Sequence, residues 1–267
     1  MSRIAATFET LRQRRRRALM PFVMAGDPSL QDTEGFLRCF AESGADLVEI
    51  GVPFSDPVAD GPTNQRAAQR ALATGTTLQA VLDLVERVRK AIHQPIVLLS
   101  YYNPIYRYGL EEFCARAASI GVDGLVIPDL PPEEGSELRA IAAVRGIDVI
   151  FLAAPTSTDE RLARVAASSS GFVYCVSLTG VTGVREGLAA DVGVLVGRLR
   201  PFTSVPICVG FGVSTPDHAR QVAAVADGVI VGSAIVAVIE REGAGAAPAL
   251  GAFVRQLRAG VDAAVGP

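Results

Sequence analysis

Glu49 and Asp60 are the residues around which a reaction could be built. Both lie in the stretch DLVEIGVPFSDPVADGPTNQ at 46–65. Its first part alternates as a strand does, with Val48, Ile50 and Val52 on one face and Leu47, Glu49 and Gly51 on the other. A carboxylate in the middle of an apolar strand is costly unless it is paired or used. Asp60 follows on the loop where that strand ends. Two carboxylates at one strand end can divide acid and base roles between them. The plainer alternative is a buried Glu–Arg pair with Asp60 as a turn residue.

Other catalytic chemistries find little support. The two histidines, His93 and His218, lie far apart, with no Glu or Cys at ligand spacing, so a metal site is not expected. Cys39, Cys114, Cys175 and Cys208 show no CxxC spacing and sit in apolar patterns, as reduced core residues of a cytoplasmic protein would. Lys90 is the only lysine among 25 basic residues. A formal net charge of −3 argues against nucleic-acid binding as the main task. The local exception, Arg12 with Arg14, Arg15, Arg16 and Arg17, reads as a solvated helix face ahead of the first strand. ALMPFVMAG (18–26) is too short to span a bilayer, and no signal peptide is apparent.

The elements that must position the carboxylates follow from periodicity. Eight apolar, β-branched runs recur at 18–26, 46–54, 95–102, 124–130, 148–155, 171–178, 206–212 and 228–234. Amphipathic stretches such as LQDTEGFLRCFAESG, LQAVLDLVERVRKAI, LEEFCARAASIG and TDERLARVAASS separate them. Alternating strands and helices imply βαβ units and a parallel sheet. Eight units in 267 residues fit one closed domain over 1–267, an α/β (β/α)8 TIM barrel, which needs about 250 residues. An open dinucleotide-binding sheet fits less well, because no GxGxxG follows the first strand. Ser29, Thr158 and Thr215 are candidate helix caps. The segment 62–75 reads as extra helix after the second strand. The Gly/Ala/Pro-rich stretch 243–249 reads as a loop before a last helix.

Barrel enzymes work at the C-terminal ends of their strands. The polar residues expected there are Asp27 after the first strand, Glu49, Asp56 and Asp60 on the second, and Tyr101, Tyr102 and Asn103 on the third. Asp129 ends the fourth and Tyr174 lies on the sixth. Gly183, Gly210, Gly212 and Gly232 on the last three strand ends lack a Cβ and admit a ligand close to the backbone. Ser233 opens the helical segment SAIVAVIE. Backbone N–H groups and a helix N-terminus together make a phosphate site that needs no lysine.

The segment LVEIGVPFSDPVADGP, with PFVMAGDP, LTGVTG, VGFGVS and GSAIV at the expected places, resembles the tryptophan synthase α-subunit family, and the resemblance runs over essentially the whole chain. It implies an aldol-type cleavage of indole-3-glycerol phosphate to indole and glyceraldehyde 3-phosphate. The indole would pass to a β subunit that carries pyridoxal phosphate (PLP), within an α2β2 heterotetramer; this chain would hold no cofactor. By position, Glu49 would be the general acid/base and Asp60 would hydrogen-bond the ring N–H. Tyr174 would help place the reacting centre. Phe22, Leu99 and Phe211 would wall the indole, and Gly183, Gly212, Gly232 and Ser233 would hold the phosphate. Loop 178–190 would close over the site, with Thr182 meeting Asp60. Pro53, Asp56, Asn103 and Asp129 would face the partner. Asn64, Val184 and Pro104 depart from the family's usual residues, Asn64 standing where an apolar residue is common.

The resemblance agrees with the residues. Protonating the ring makes an iminium-like leaving group, so the bond can break without a Schiff base, and Lys90 falls before the third strand, at the wrong end of a barrel. Competing readings are an isomerase of a sugar or anthranilate phosphate, a stand-alone indole-releasing lyase of the same fold, and a non-catalytic phosphate-binding barrel.

Overall fold

The computed structural model describes residues 1–176, 188–210 and 212–264. Nine strands are present among them: β1 (Ala18–Met24), β2 (Val48–Gly51), β3 (Ile96–Leu99), β4 (Gly124–Val126), β5 (Asp148–Ile150), β6 (Leu152–Ala153), β7 (Val173–Val176), β8 (Ile207–Gly210) and β9 (Gly228–Val231). The helices are α1 (Arg3–Gln13), α2 (Leu30–Glu42), α3 (Pro62–Ala73), α4 (Leu78–Val88), α5 (Tyr102–Tyr108), α6 (Leu110–Ile120), α7 (Ser136–Ala143), α8 (Asp159–Ser168), α9 (Leu188–Leu199), α10 (Pro216–Ala223), α11 (Ser233–Glu242) and α12 (Ala247–Asp262).

All strand pairs are parallel, in the order β5-β4-β3-β2-β1-β9-β8-β7-β6. The two ends of that order, β5 and β6, are separated by Phe151 alone. They are the two halves of the fifth expected strand. One half pairs with β4 and the other with β7, so the ring closes through a broken strand. The architecture is the expected eight-fold barrel.

Alternation along each strand sorts its residues. Val48 and Ile50 join the outer core packed under the helices. Met20, Leu47, Val97, Val126, Ile150, Phe172, Tyr174 and Ile230 form an inner cluster. This is why Leu47, Glu49 and Gly51 look into the barrel. Helix α1 closes the lower end, sending Ile4, Phe8 and Leu11 into the same inner cluster. Its cap is Ser2, and Arg3 holds Asp123 at 3.0 Å.

The arginine run differs from expectation. Helix α1 ends at Gln13, and Arg15 takes a left-handed φ of 54° in the turn that leads to β1. Only Arg12 lies on the helix, beside Glu9; Arg16 pairs with Asp262 and Arg17 with Asp227. The run ties the chain's beginning to α12 and to the entry of β9. The third and fourth strands are also shorter than the apolar runs suggested. Tyr102 and Asn103 belong to the short helix α5, and α12 begins inside the stretch read as a loop. The caps Ser29, Thr158 and Thr215 each accept the expected backbone N–H. Cys114, Cys175 and Cys208 are buried, Cys39 is half-buried, and all four are free. Among the described residues, no helix is long and apolar enough to cross a membrane, and no three His, Cys, Asp or Glu side chains cluster as metal ligands.

Candidate active site

Strand β2 delivers Glu49 to the barrel interior opposite Phe22 of β1. Gly51, two residues on, leaves room for that Phe22 ring; a Cβ there would come within 2.6 Å of it. Glu49 is 1% exposed, and its Oε1 has no hydrogen-bond partner among the described residues. Burial pushes its carboxyl up to about 8, and the nearby Asp60 charge pushes the same way. A carboxyl with that pKa carries its proton at neutral pH and can donate it.

Asp60 sits on the loop between β2 and α3. Burial raises its pKa too, but Tyr101 and Asn64 oppose that by hydrogen bonding to the carboxylate. The Tyr101 hydroxyl donates to Asp60 Oδ2 at 2.9 Å and accepts from the Ala59 N–H at 2.9 Å. Its ring stacks on Phe54 with centroids 5.2 Å apart. The loop that carries Asp60 is therefore pinned to the end of β3. Tyr174 is buried on β7, and burial holds its hydroxyl protonated, well above the usual tyrosine range. Gly210 of β8 faces it, and a Cβ there would meet the Tyr174 hydroxyl at 2.4 Å. Gly210 thus makes space for the tyrosine, and not for a phosphate as its place among the glycine loops suggested.

Phe22, Glu49, Asp60, Leu99, Tyr174, Gly212, Gly232 and Ser233 line one cavity of about 380 Å³. Eight sequence-derived candidates thus converge from four strands, two loops and the start of α11. Gly232 is the N-cap of α11 and has no side chain to take up the N–H groups of that helix start, an arrangement suited to an anion. Gly212 has a φ of 78°, a left-handed conformation that glycine supplies without strain. Thr182, Gly183 and Phe211, and nearly all of loop 178–190, lie outside the described residues. Of the expected partner residues, Asp56, Asn103 and Asp129 are exposed and Pro53 is buried. Asp129 accepts the Tyr102 N–H at 2.9 Å, so the exposed start of α5 adjoins the Asp60 partner Tyr101.

Sequence reasoning left out Thr63, Leu152, Ser214 and Ile230, which also line the cavity, and it noted Asn64 only as a departure from the family's residues, whereas Asn64 lines the cavity beside Asp60. Leu152 and Ile230 could have been found by carrying the inward alternation of their strands one step further. Tyr101 was placed at a strand end, but no pattern in the chain pointed its hydroxyl at Asp60.

A closed parallel barrel that brings a buried carboxyl of raised pKa, a second carboxylate and the start of a helix to one cavity has the architecture of an α/β-barrel enzyme. The family model described as "Tryptophan synthase alpha chain" matches residues 8–263, and the chain belongs to that family. It is a lyase of the kind that cleaves indole-3-glycerol phosphate. The tryptophan synthase alpha chain of Geobacter sulfurreducens is 57% identical over 90% of this chain and 91% of its own length. That of Geotalea uraniireducens is 51% identical over the whole of both. Among solved structures, the alpha subunit from Legionella pneumophila superposes with a TM-score of 0.91 at 36% identity, covering 98% of this chain and 99% of that one. Tryptophan synthase from M. tuberculosis in an aminoacrylate-bound form gives 0.89 at 38%, covering 98% and 100%.

Proposed function

We propose that Glu49, Asp60 and the α11 N-terminus cleave indole-3-glycerol phosphate in this cavity, and that the chain works as the α subunit beside a β subunit. The observation that carries this is the buried Glu49 carboxyl, protonated at neutral pH and facing the same cavity as Asp60. The phosphate rests on the N–H groups at Gly232 and Ser233. The indole lies between Phe22 and Leu99, with its N–H toward Asp60. Glu49 gives its proton to the ring carbon that bears the side chain. The ring nitrogen becomes cationic, and the Asp60 carboxylate stabilises that charge. The Glu49 carboxylate then takes the proton of the adjacent hydroxyl as the carbon–carbon bond breaks. The bonding pair restores the aromatic ring, indole and the aldehyde form, and Glu49 ends protonated as it began. The buried Tyr174 hydroxyl stands beside the reacting carbon.

The phosphate assignment predicts a clean variant. A Cβ at Gly232 would meet nothing closer than 3.6 Å, so Gly232→Ala is expected to fold normally. Its methyl group enters the space where phosphate meets the helix start. KM should rise about five- to tenfold with kcat little changed. An unchanged KM in steady-state assays would place the phosphate elsewhere.

The β subunit, which would hold the PLP and join indole to serine, docks on this reading at the mouth around Asp56, Asn103 and Asp129. The link from Asp129 through Tyr102 and Tyr101 to Asp60 supports a partner that acts on the catalytic loop. Indole release from indole-3-glycerol phosphate, measured while a β subunit is titrated in, tests the proposal. Slow release by the isolated chain and acceleration on docking are expected. No release under either condition would refute the activity. A flat response with binding confirmed independently would refute the regulatory interface.

A further inference from the structure

Glu49 and Asp60 are two carboxyl groups in one cavity, and acid–base work needs them in different states. Their surroundings differ. Glu49 Oε1 has no hydrogen-bond partner among the described residues, whereas Asp60 Oδ2 receives the Tyr101 hydroxyl at 2.9 Å. That hydroxyl also accepts the Ala59 N–H at 2.9 Å. An N–H can only donate, so the tyrosine's own proton is the one directed at Asp60. Tyr101 is buried and its ring stacks on Phe54, which fixes the hydroxyl in place. Burial, and then the Asp60 charge, hold that proton well above the usual tyrosine range, and Asp129 acts on it in the same sense. Asp60 is also bonded by Asn64, and the titratable groups that face it besides Tyr101 are Glu49 of β2 and Tyr174 of β7. Among the described residues no arginine, lysine or histidine offsets its charge. Hydrogen bonding, led by Tyr101, is what opposes burial at Asp60.

We propose that Tyr101 is a positioning residue whose hydroxyl holds the Asp60 carboxylate in place and ionised, leaving the proton of the pair to Glu49. This inference rests on the reading of the cavity given above. A hydrogen bond to the charged form of an acid favours that form, and it is stronger than a bond between neutral groups. Without it two buried carboxyls would compete for one proton, and a proton on Asp60 would remove the charge that steadies a cationic ring. The same hydroxyl ties Ala59 and Asp60 to the end of β3, so the carboxylate is placed by the barrel and not by its loop alone. Among the described residues Tyr101 does not line the cavity, so its effect passes through Asp60.

The test is indole release from indole-3-glycerol phosphate by Tyr101→Phe, in the wild-type chain and in Asp60→Asn. Phenylalanine keeps the ring on Phe54 and removes only the hydroxyl. At neutral pH kcat is expected to fall about tenfold, the worth of a hydrogen bond to a charged group, with KM little changed. Asp60 would then hold its proton to higher pH, so the acid limb of kcat/KM should move to higher pH than in wild type. In Asp60→Asn, where the charge is already gone, the same change should cost no more than about twofold. Should the phenylalanine variant fold poorly, a fluorinated tyrosine at 101 keeps both hydrogen bonds and donates more strongly, and the acid limb should then move to lower pH. An acid limb that stays in place would overturn the proposal. Equal losses of kcat in the two backgrounds would overturn it too, since Tyr101 would then only hold the loop. Failure of the broader reading looks different, since the wild-type chain would then release no indole.

Discussion

Glu49→Gln is expected to abolish indole release while largely preserving ligand affinity. The substitution keeps the shape of the side chain and removes the group proposed to donate and then retrieve a proton. A single general acid/base step is worth about 10²–10⁴-fold, and here one group serves two steps. Turnover should therefore fall by at least about a thousandfold, with the Kd for substrate changed little. A variant that kept more than about a tenth of wild-type turnover would remove Glu49 from the chemistry. Stability supplies an independent signature. In the unfolded chain Glu49 ionises near its ordinary 4.5, whereas in the fold it holds its proton to about 8. Between those values the folded chain binds the extra proton, so raising the pH removes stability. Glutamine has no proton to lose. Relative to wild type, the variant should gain stability from pH 5 to pH 8, by an amount of the order of a few kcal/mol in thermal or denaturant unfolding.

Asp60→Asn is expected to cost about 10²–10³-fold in kcat. An amide can still meet the ring N–H, but it carries no charge to offset the cation that forms there. The substitution also turns the Tyr101 contact from a charged to a neutral one. Near-normal rates in steady-state assays would reduce Asp60 to a positional role. A second consequence follows from the same charge. Asp60 helps to hold the Glu49 pKa up, so its neutralisation should move the alkaline limb of kcat/KM to lower pH.

The sequence carried the architecture because a parallel barrel writes itself as alternation. Eight apolar runs separated by capped amphipathic stretches leave few other arrangements, and the inward face of β2 could be read from Leu47, Glu49 and Gly51 alone. The break at Phe151 could not, since periodicity continues through it while the pairing partner changes. The early strand end at Leu99 was also hidden, because Tyr101 and Tyr102 suit a strand as well as the turn into α5. At the site, the carboxylates were legible as polar residues in an apolar frame. The relation of Tyr101 to Asp60 was not, because it joins residues far apart in the chain and depends on how two loops meet. Gly210 shows the opposite failure. Its glycine was read correctly as a need for space, but the occupant is the Tyr174 ring.

The central claim is that a buried, protonated Glu49 starts the reaction, and the pH dependence of kcat/KM for indole release tests it most directly. The profile reports the ionisation of the free enzyme. The account predicts a one-proton alkaline limb near 8, falling about tenfold per pH unit beyond it and shifted downward in Asp60→Asn. A rate that requires the ionised carboxyl, rising with pH through the ordinary carboxylate range and staying level to pH 10, would contradict it.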